Sequence, residues 1–169
     1  MQYEIIHPEP TDAQRFWNLL SALDHETEFM LYEPGERSPD LSRVTRLLSS
    51  PQDETLVLAA EAEGELVGFL SADRGGQRRT AHSAYIVCGV REGYRNQGLG
   101  TRFFRMLDEW AKANRVTRLE LTVLTENAAA VHLYQRCGFE IEGTRRNSMR
   151  VRGVYKDEYE MSKLLPEEP

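Results

Sequence analysis

The chain has 169 residues, 21 Lys and Arg against 27 Asp and Glu, and a formal net charge of −6. With 40% hydrophobic residues it has the size of one globular domain, 1–169, with room for a full core. The acidic balance argues against a nucleic-acid face. No apolar run reaches membrane-spanning length and no apolar signal segment stands at the N-terminus, so a cytoplasmic location with neither membrane nor nucleic acid as partner is expected.

Residues 3–6 read as a short first strand, ended by Pro8 and Pro10. Thr11 is the expected N-cap of a helix whose apolar stripe is Ala13, Phe16, Trp17, Leu20 and Leu23. The periodicity breaks over 26–37, with a turn at Pro34-Gly35, and a second helix is expected over 40–49 with Leu41, Val44, Leu47 and Leu48 inward. Residues 55–61 and 66–72 are strand-like, and Glu63-Gly64 between them predicts a hairpin. A polar connection at 75–79 leads into 84–90, which is apolar and β-rich. Leu99, Phe103, Leu107 and Trp110 then recur at helical spacing. Leu119, Leu121 and Val123 alternate as in a half-buried strand, and Ala130, Leu133, Tyr134 and Cys137 fall on one helix face. Residues 139–149 and 154–164 read as a final antiparallel pair turning near Arg152-Gly153. The two cysteines, Cys88 and Cys137, fall at core positions and read as reduced thiols rather than a disulfide or metal ligands.

Between the strand ending at Val90 and the helix beginning near Leu99 lies a short turn rich in glycine and arginine. Glycines let backbone N–H groups approach a phosphate, and a helix N-terminus offers free N–H donors and a positive dipole end. A P-loop would need Lys and Ser/Thr after its second glycine, where Thr101-Arg102 stand. A dinucleotide fingerprint would need a third glycine at Phe103. Arg95, Gly98 and Gly100 instead form Arg-x-x-Gly-x-Gly, which taken alone fits an ordinary glycine turn equally well. A second stretch follows at 127–139, Asn-Ala-Ala-Ala-Val-His-Leu-Tyr-Gln-Arg-Cys-Gly-Phe. The two together, in this order, resemble the GNAT acetyltransferase superfamily, whose coenzyme A pyrophosphate loop has the first pattern and whose second signature is Asn-x-x-Ala-x-x-Leu-Tyr-x-x-x-Gly-Phe. The stretches around 29–36 and 153–161 are similar to the bacterial subgroup of ribosomal-protein and polyamine N-acetyltransferases.

That resemblance implies an α+β fold: a mixed, mostly antiparallel sheet flanked by helices, with two central strands splayed to admit the pantetheine arm. It implies acetyl-CoA as co-substrate, no metal, and a primary amine acceptor, on a small molecule or on a peptide or protein. A non-catalytic acyl-CoA-binding module is the alternative. The cofactor residues it implies are Cys88, Val90, Arg95, Asn96, Gln97, Gly98, Leu99, Gly100, Thr101, Asn127 and Tyr134. The Val90 amide is the candidate donor to the thioester oxygen, unless Val90 simply continues a ladder. Tyr134 is the candidate acid for the departing sulfur, or else a core residue; Asn127 can cap its helix, bond the cofactor, or both. No carboxylate lies in 83–90 to act as base. Glu92, just past the strand, is the candidate, with Glu33, Tyr155 and Asp157 on the acceptor side; each of these acids reads equally well as a solvated surface charge. A homodimer is expected on the grounds that two-fold pairs are the commonest oligomers.

Overall fold

The computed structural model describes residues 2–167. Its sheet contains β1 (Glu4–Ile6), β2 (Thr55–Ala62), β3 (Glu65–Arg74), β4 (Ser83–Val90), β5 (Arg118–Leu124), β6 (Glu140–Val151) and β7 (Val154–Leu164). The helices are α1 (Ala13–Glu26), α2 (Ser42–Leu48), α3 (Leu99–Ala113) and α4 (Ala128–Arg136). The strands run in the order β1-β2-β3-β4-β5-β7-β6, antiparallel except between β4 and β5. This is the mixed α+β architecture expected from the sequence.

Tight turns set the register at two places. Glu63 and Gly64 both have positive φ, 53° and 82°, the geometry of a type I′ hairpin turn. Arg152 and Gly153, at 49° and 80°, do the same between β6 and β7. The start of α1 differs from the expectation. Pro10 opens a 3-10 turn over Pro10–Asp12, so Thr11 sits inside that turn and caps nothing; Asp12 precedes α1 and its Oδ2 accepts the Glu9 N–H at 2.9 Å. The second helix begins at Ser42, because Asp40 turns back to accept the Ser42 N–H and Oγ–H at 2.9 and 2.8 Å.

Each face of the sheet has its own core. On one face α3 buries Leu99, Phe103, Phe104, Leu107 and Trp110 against β2–β5, and α4 adds Tyr134. Phe103 and Leu107 are fully buried, and each such side chain contributes about 1.5–3 kcal/mol. On the other face α1 and α2 pack mainly on β2 and β3, with Phe16 set edge-on to Phe69 at 5.4 Å. Buried Asp24 on α1 accepts from Nε and Nη2 of Arg37 at 2.8 and 3.0 Å, and the same guanidinium lies over the Tyr32 ring. That contact ties the irregular segment 27–41 to the helix it leaves.

Gly89 marks where α1 and this segment press on β4. A Cβ there would stand 2.8 Å from Leu23 Cδ1 and 3.2 Å from Phe69 Cε1, both on buried side chains with little room to yield. Gly89→Ala is expected to destabilise the fold by about 1–3 kcal/mol, as overpacking does. Thermal unfolding is the check, with each kcal/mol lowering Tm by about 2–4 °C in a chain of this length.

Candidate active site

β4 and β5 pair only at Ser83–Arg118, Ala84–Leu119 and Tyr85–Glu120, and then part. The Tyr85 hydroxyl and Thr122 Oγ1, 2.8 Å apart, bridge the strands where they separate. Beyond that point each strand stays bonded to its outer neighbour, β4 to β3 and β5 to β7. The Arg91 N–H donates to Val67 O at 2.9 Å, so the adjoining Val90–Gly68 and Cys88–Leu70 pairs are the non-hydrogen-bonded kind. Their backbone groups therefore face away from β3 and into the gap. By the same reasoning the Thr125 N–H bond to Asp157 O turns Thr122 and Leu124 toward the gap from β5. Among the described residues the gap is thus walled largely by unpaired peptide groups, with the Cys88 and Val90 N–H among them, although the Leu124 carbonyl accepts the Asn127 N–H. The Val90 carbonyl is already taken, by Arg95 Nε at 2.9 Å. Arg95 thus braces the end of β4 with its side chain, while its neighbours form the turn.

That turn is a nest of donors. Asn96 and Gly98 have left-handed φ, 58° and 80°, which folds the chain tightly into the start of α3. Arg102 N–H makes the first helical bond, to Gly98 O, and among the described residues the N–H groups of Asn96, Gln97, Gly98, Leu99, Gly100 and Thr101 have no protein acceptor. The turn thus offers six successive donors at a helix N-terminus, the arrangement that binds anions. Its two motif glycines serve different ends. Gly98 supplies the left-handed φ, with open space where a Cβ would be; Gly100 supplies close approach, since a Cβ would meet Leu133 Cδ2 at 2.7 Å and push α4 away.

α4 starts beside the open end of β5. Asn127 Oδ1 accepts the Ala130 N–H at 3.3 Å, and the Asn127 N–H donates to Leu124 O at 2.9 Å. The cap therefore uses the oxygen of the side chain and leaves its amide nitrogen free. Tyr134, seven residues on, is buried and edge-on to Phe104 at 5.5 Å. Burial raises its phenol well above the usual range, and Cys88, Tyr85 and Cys137 push the same way. Among the described residues its hydroxyl has no hydrogen-bond partner, and it stays protonated, a donor held near β4. Burial first, then Cys137, pushes the Cys88 thiol up to about 12, so it too remains protonated. Both cysteines are free.

The acids divide. Glu92 lies exposed in the 3-10 turn Glu92–Tyr94; its N–H, not its carboxylate, is engaged, donating to Glu26 Oε2 at 2.9 Å. Glu26, at the end of α1, also takes Arg91 Nη2 at 2.7 Å. Nothing in the sequence pattern pointed to Glu26, because its partners stand 65 and 66 residues away. Glu33 is exposed within 27–41 and its side chain has no partner. Asp157 Oδ1 accepts the Asn147 N–H at 2.8 Å across a bulge in β6, so this carboxylate holds the strand in shape. Tyr155 stands exposed on β7 with the Arg150 guanidinium over its ring. Arg152, in the β6–β7 turn, reaches Glu28 at 2.6 Å, which sets that turn against the 27–41 segment. The described residues contain no group of three His, Cys, Asp or Glu side chains able to hold a metal ion, and no helix long and apolar enough to cross a membrane.

Comparison with known proteins agrees with this geometry. The profile of the Acetyltransferase (GNAT) family matches residues 16–139. The chain is 36% identical over 123 residues to the L-amino acid N-acetyltransferase AaaT of Escherichia coli, covering 70% of this chain and 73% of that one. It is 34% identical over 116 residues to the N-alpha-acetyltransferase RimI of Mycobacterium tuberculosis, covering 69% of each. A crystal structure of a GNAT-family acetyltransferase from Streptococcus pneumoniae superposes with a TM-score of 0.89 at 30% identity, over 98% of this chain and 100% of that one.

Glu26 carries a pH-dependent part of the fold. Burial acts to raise its pKa, but the Glu92 N–H and Arg91 more than offset this and the net shift is downward. A carboxylate depressed on folding stabilises above its unfolded pKa of about 4.3, and that stabilisation is lost as pH falls through the lower folded value. The Glu26→Gln variant is expected to unfold at lower temperature at pH 7, with the gap to wild type closing as pH drops below about 4. Calorimetric melts across that range test it; a constant gap would refute the assignment.

Proposed function

We infer the division of labour in this site from one premise: the chain belongs to the GNAT acetyltransferase family and transfers the acetyl group of acetyl-CoA to a primary amine. The matched relatives are acetyltransferases, which favours turnover over a non-catalytic acyl-CoA-binding module. The single observation that carries the assignment is the run of free N–H groups from Asn96 to Thr101 opening beside the β4–β5 gap. A pyrophosphate is the anion such a nest fits, and a gap walled largely by unpaired peptide groups fits an amide-bearing arm. Acetyl-CoA supplies the acyl group, activated as a thioester.

The chain's own residues do the rest. The N–H groups of 96–101 hold the pyrophosphate, with Arg95 fixing the strand end from which the turn springs. Cys88 and Val90 present backbone N–H groups to the pantetheine arm and the thioester oxygen, where developing negative charge is stabilised by a donor already aimed. The Asn127 side-chain nitrogen, free of the cap, is a further donor for the same arm. Tyr134 keeps its proton until the sulfur departs, and its raised pKa makes it a donor throughout the working range. Glu33, Glu92 and Tyr155 border the acceptor side, while Asp157 acts there through the bulge it supports. The acceptor is a small amine or a peptide amine. Two free thiols suit a reducing compartment, which supports a cytoplasmic location. β6, a long exposed edge strand, is where a second copy of the chain would pair; light scattering at high micromolar concentration is expected to give twice the chain mass.

Two substitutions test these roles. Gly98→Glu sets a carboxylate in the nest and strains a left-handed position, and is expected to abolish coenzyme A binding by calorimetry while the fold persists. Unchanged affinity in the folded variant would rule out this turn. Tyr134→Phe keeps the packing on Phe104 and removes one hydroxyl. It is expected to lower kcat about 100-fold with coenzyme A affinity nearly intact, since the lost interaction matters mainly in the transition state. A variant as fast as wild type, where chemistry limits the rate, would make Tyr134 a packing residue only.

A further inference from the structure

The large apolar side chains left exposed are not scattered. Eight stand out, and six of them, Phe29, Leu31, Tyr85, Val87, Val154 and Tyr155, sit on three elements that frame one opening. Phe29 and Leu31 flank Met30, whose sulfur lies 3.7 Å from where a Gly89 Cβ would be, at the open end of β4. Tyr85 and Val87 share that face of β4, because side chains two apart point the same way. Val154 and Tyr155 follow the β6–β7 turn, Val154 on the face of the sheet that carries Tyr85 and Val87 and Tyr155 on the other, and the Arg152–Glu28 pair holds that turn to the segment bearing Phe29 and Leu31. The other two, Ile141 and Leu164, are placed elsewhere: Leu164 pairs with Arg118, at the closed end of the fork.

The charges at this opening point the same way. Several nearby carboxylates are engaged: Glu26 with Arg91, Glu28 with Arg152, Asp157 with the Asn147 N–H and Glu158 with Ser148, while Glu33 and Glu92 are not. The turn also presents Arg150, a cation that repels a polycation and attracts a carboxylate or a carbonyl, beside Arg152 in its pair with Glu28. A polyamine needs several free anions; this opening offers Glu33 and Glu92 beside apolar surface and guanidinium groups.

We propose that the acceptor is an α-amino compound with an apolar side chain, of the leucine or phenylalanine type, seated with that side chain on the rim of Leu31 and Val154. This rests on the acetyltransferase reading above and narrows its substrate class. The shared chemistry occurs in a free amino acid and in the first residue of a peptide.

The experiment measures free-thiol release at saturating acetyl-CoA with L-leucine, L-phenylalanine, glycine, a leucine-first tripeptide, a glycine-first tripeptide and spermidine. The leucine compounds are expected to exceed both their glycine counterparts and spermidine at least about tenfold in kcat/KM, the scale on which apolar pockets discriminate. Preference for free leucine or for the leucine-first peptide each supports the proposal and identifies the source. Spermidine or glycine used equally well overturns it, while leaving the acetyltransferase reading intact. No thiol release with any amine, together with no coenzyme A binding, overturns that reading and this inference with it. Leu31→Asp and Val154→Asp, at exposed positions where folding is tolerant, are expected to lower the leucine-to-glycine ratio about tenfold, and Leu164→Asp to leave it unchanged. An unaltered ratio in both rim variants overturns the placement.

Discussion

The active site depends on β4 and β5 parting after three paired residues. Each strand is held by its outer neighbour over seven residue pairs, so the sheet behaves as two halves joined at one short seam. Past that seam the inner peptide groups of Cys88, Val90 and Thr122 have no strand to bond. A buried donor left unsatisfied costs about 1–3 kcal/mol, so such a gap persists only if water or a ligand fills it. Its position is set from both sides: Tyr85 and Thr122 bridge its apex, and Arg95 takes up the Val90 carbonyl at its mouth. The crossover from β4 to β5 runs through α3, whose N-terminus is thereby brought to the open end. Gap and anion nest are two results of one topology.

Much of the fold could be read from residues because burial leaves a period in the chain. The 3.6-residue stripe of α3, the alternation in β5 and the turn pairs Glu63-Gly64 and Arg152-Gly153 all reappear where the pattern put them. The two motif stretches were legible for a similar reason: glycine at 98 and 100 is a backbone demand, visible as a residue type. What escaped is what depends on partners distant in sequence. Thr122 and Leu124 contribute peptide groups, which no side chain advertises. Glu26 looks like any acid at a helix end until Arg91 arrives beside it. Asp157 looked free to meet an acceptor, but the bulge in β6 turns the Asn147 N–H onto it. Arg95 stands in the phosphate-binding motif, yet its side chain turns back to the strand.

Net charge is a poor guide to this site. The chain is acidic overall, at −6, yet Glu26, Glu28 and Asp157 near the opening are spent on local structure, and the turn at 96–101 presents peptide N–H groups rather than side-chain cations. The exposed guanidinium groups of the β6–β7 turn and the exposed apolar rim give the opening a character that the whole-chain balance does not suggest.

The lack of a carboxylate on β4 bears on the same question from the side of proton transfer. An amine must be neutral to attack the thioester. The α-amino group of a peptide, of pKa about 8, is already neutral in about one molecule in ten at pH 7, whereas a lysine-like amine of pKa about 10.4 is neutral in roughly one in 2,500. The difference, about 3 kcal/mol, is what a well-placed base would have to supply for the more basic acceptor. Ser83–Val90 offers none, and Glu33 and Glu92 lie exposed to solvent. A site whose proposed donors serve the thioester and the leaving sulfur, with no carboxylate on its central strand, is better matched by the less basic acceptor. The same acceptor, an α-amine, is the one that carries its side chain next to the reacting nitrogen, where the proposed rim of Leu31 and Val154 would meet it.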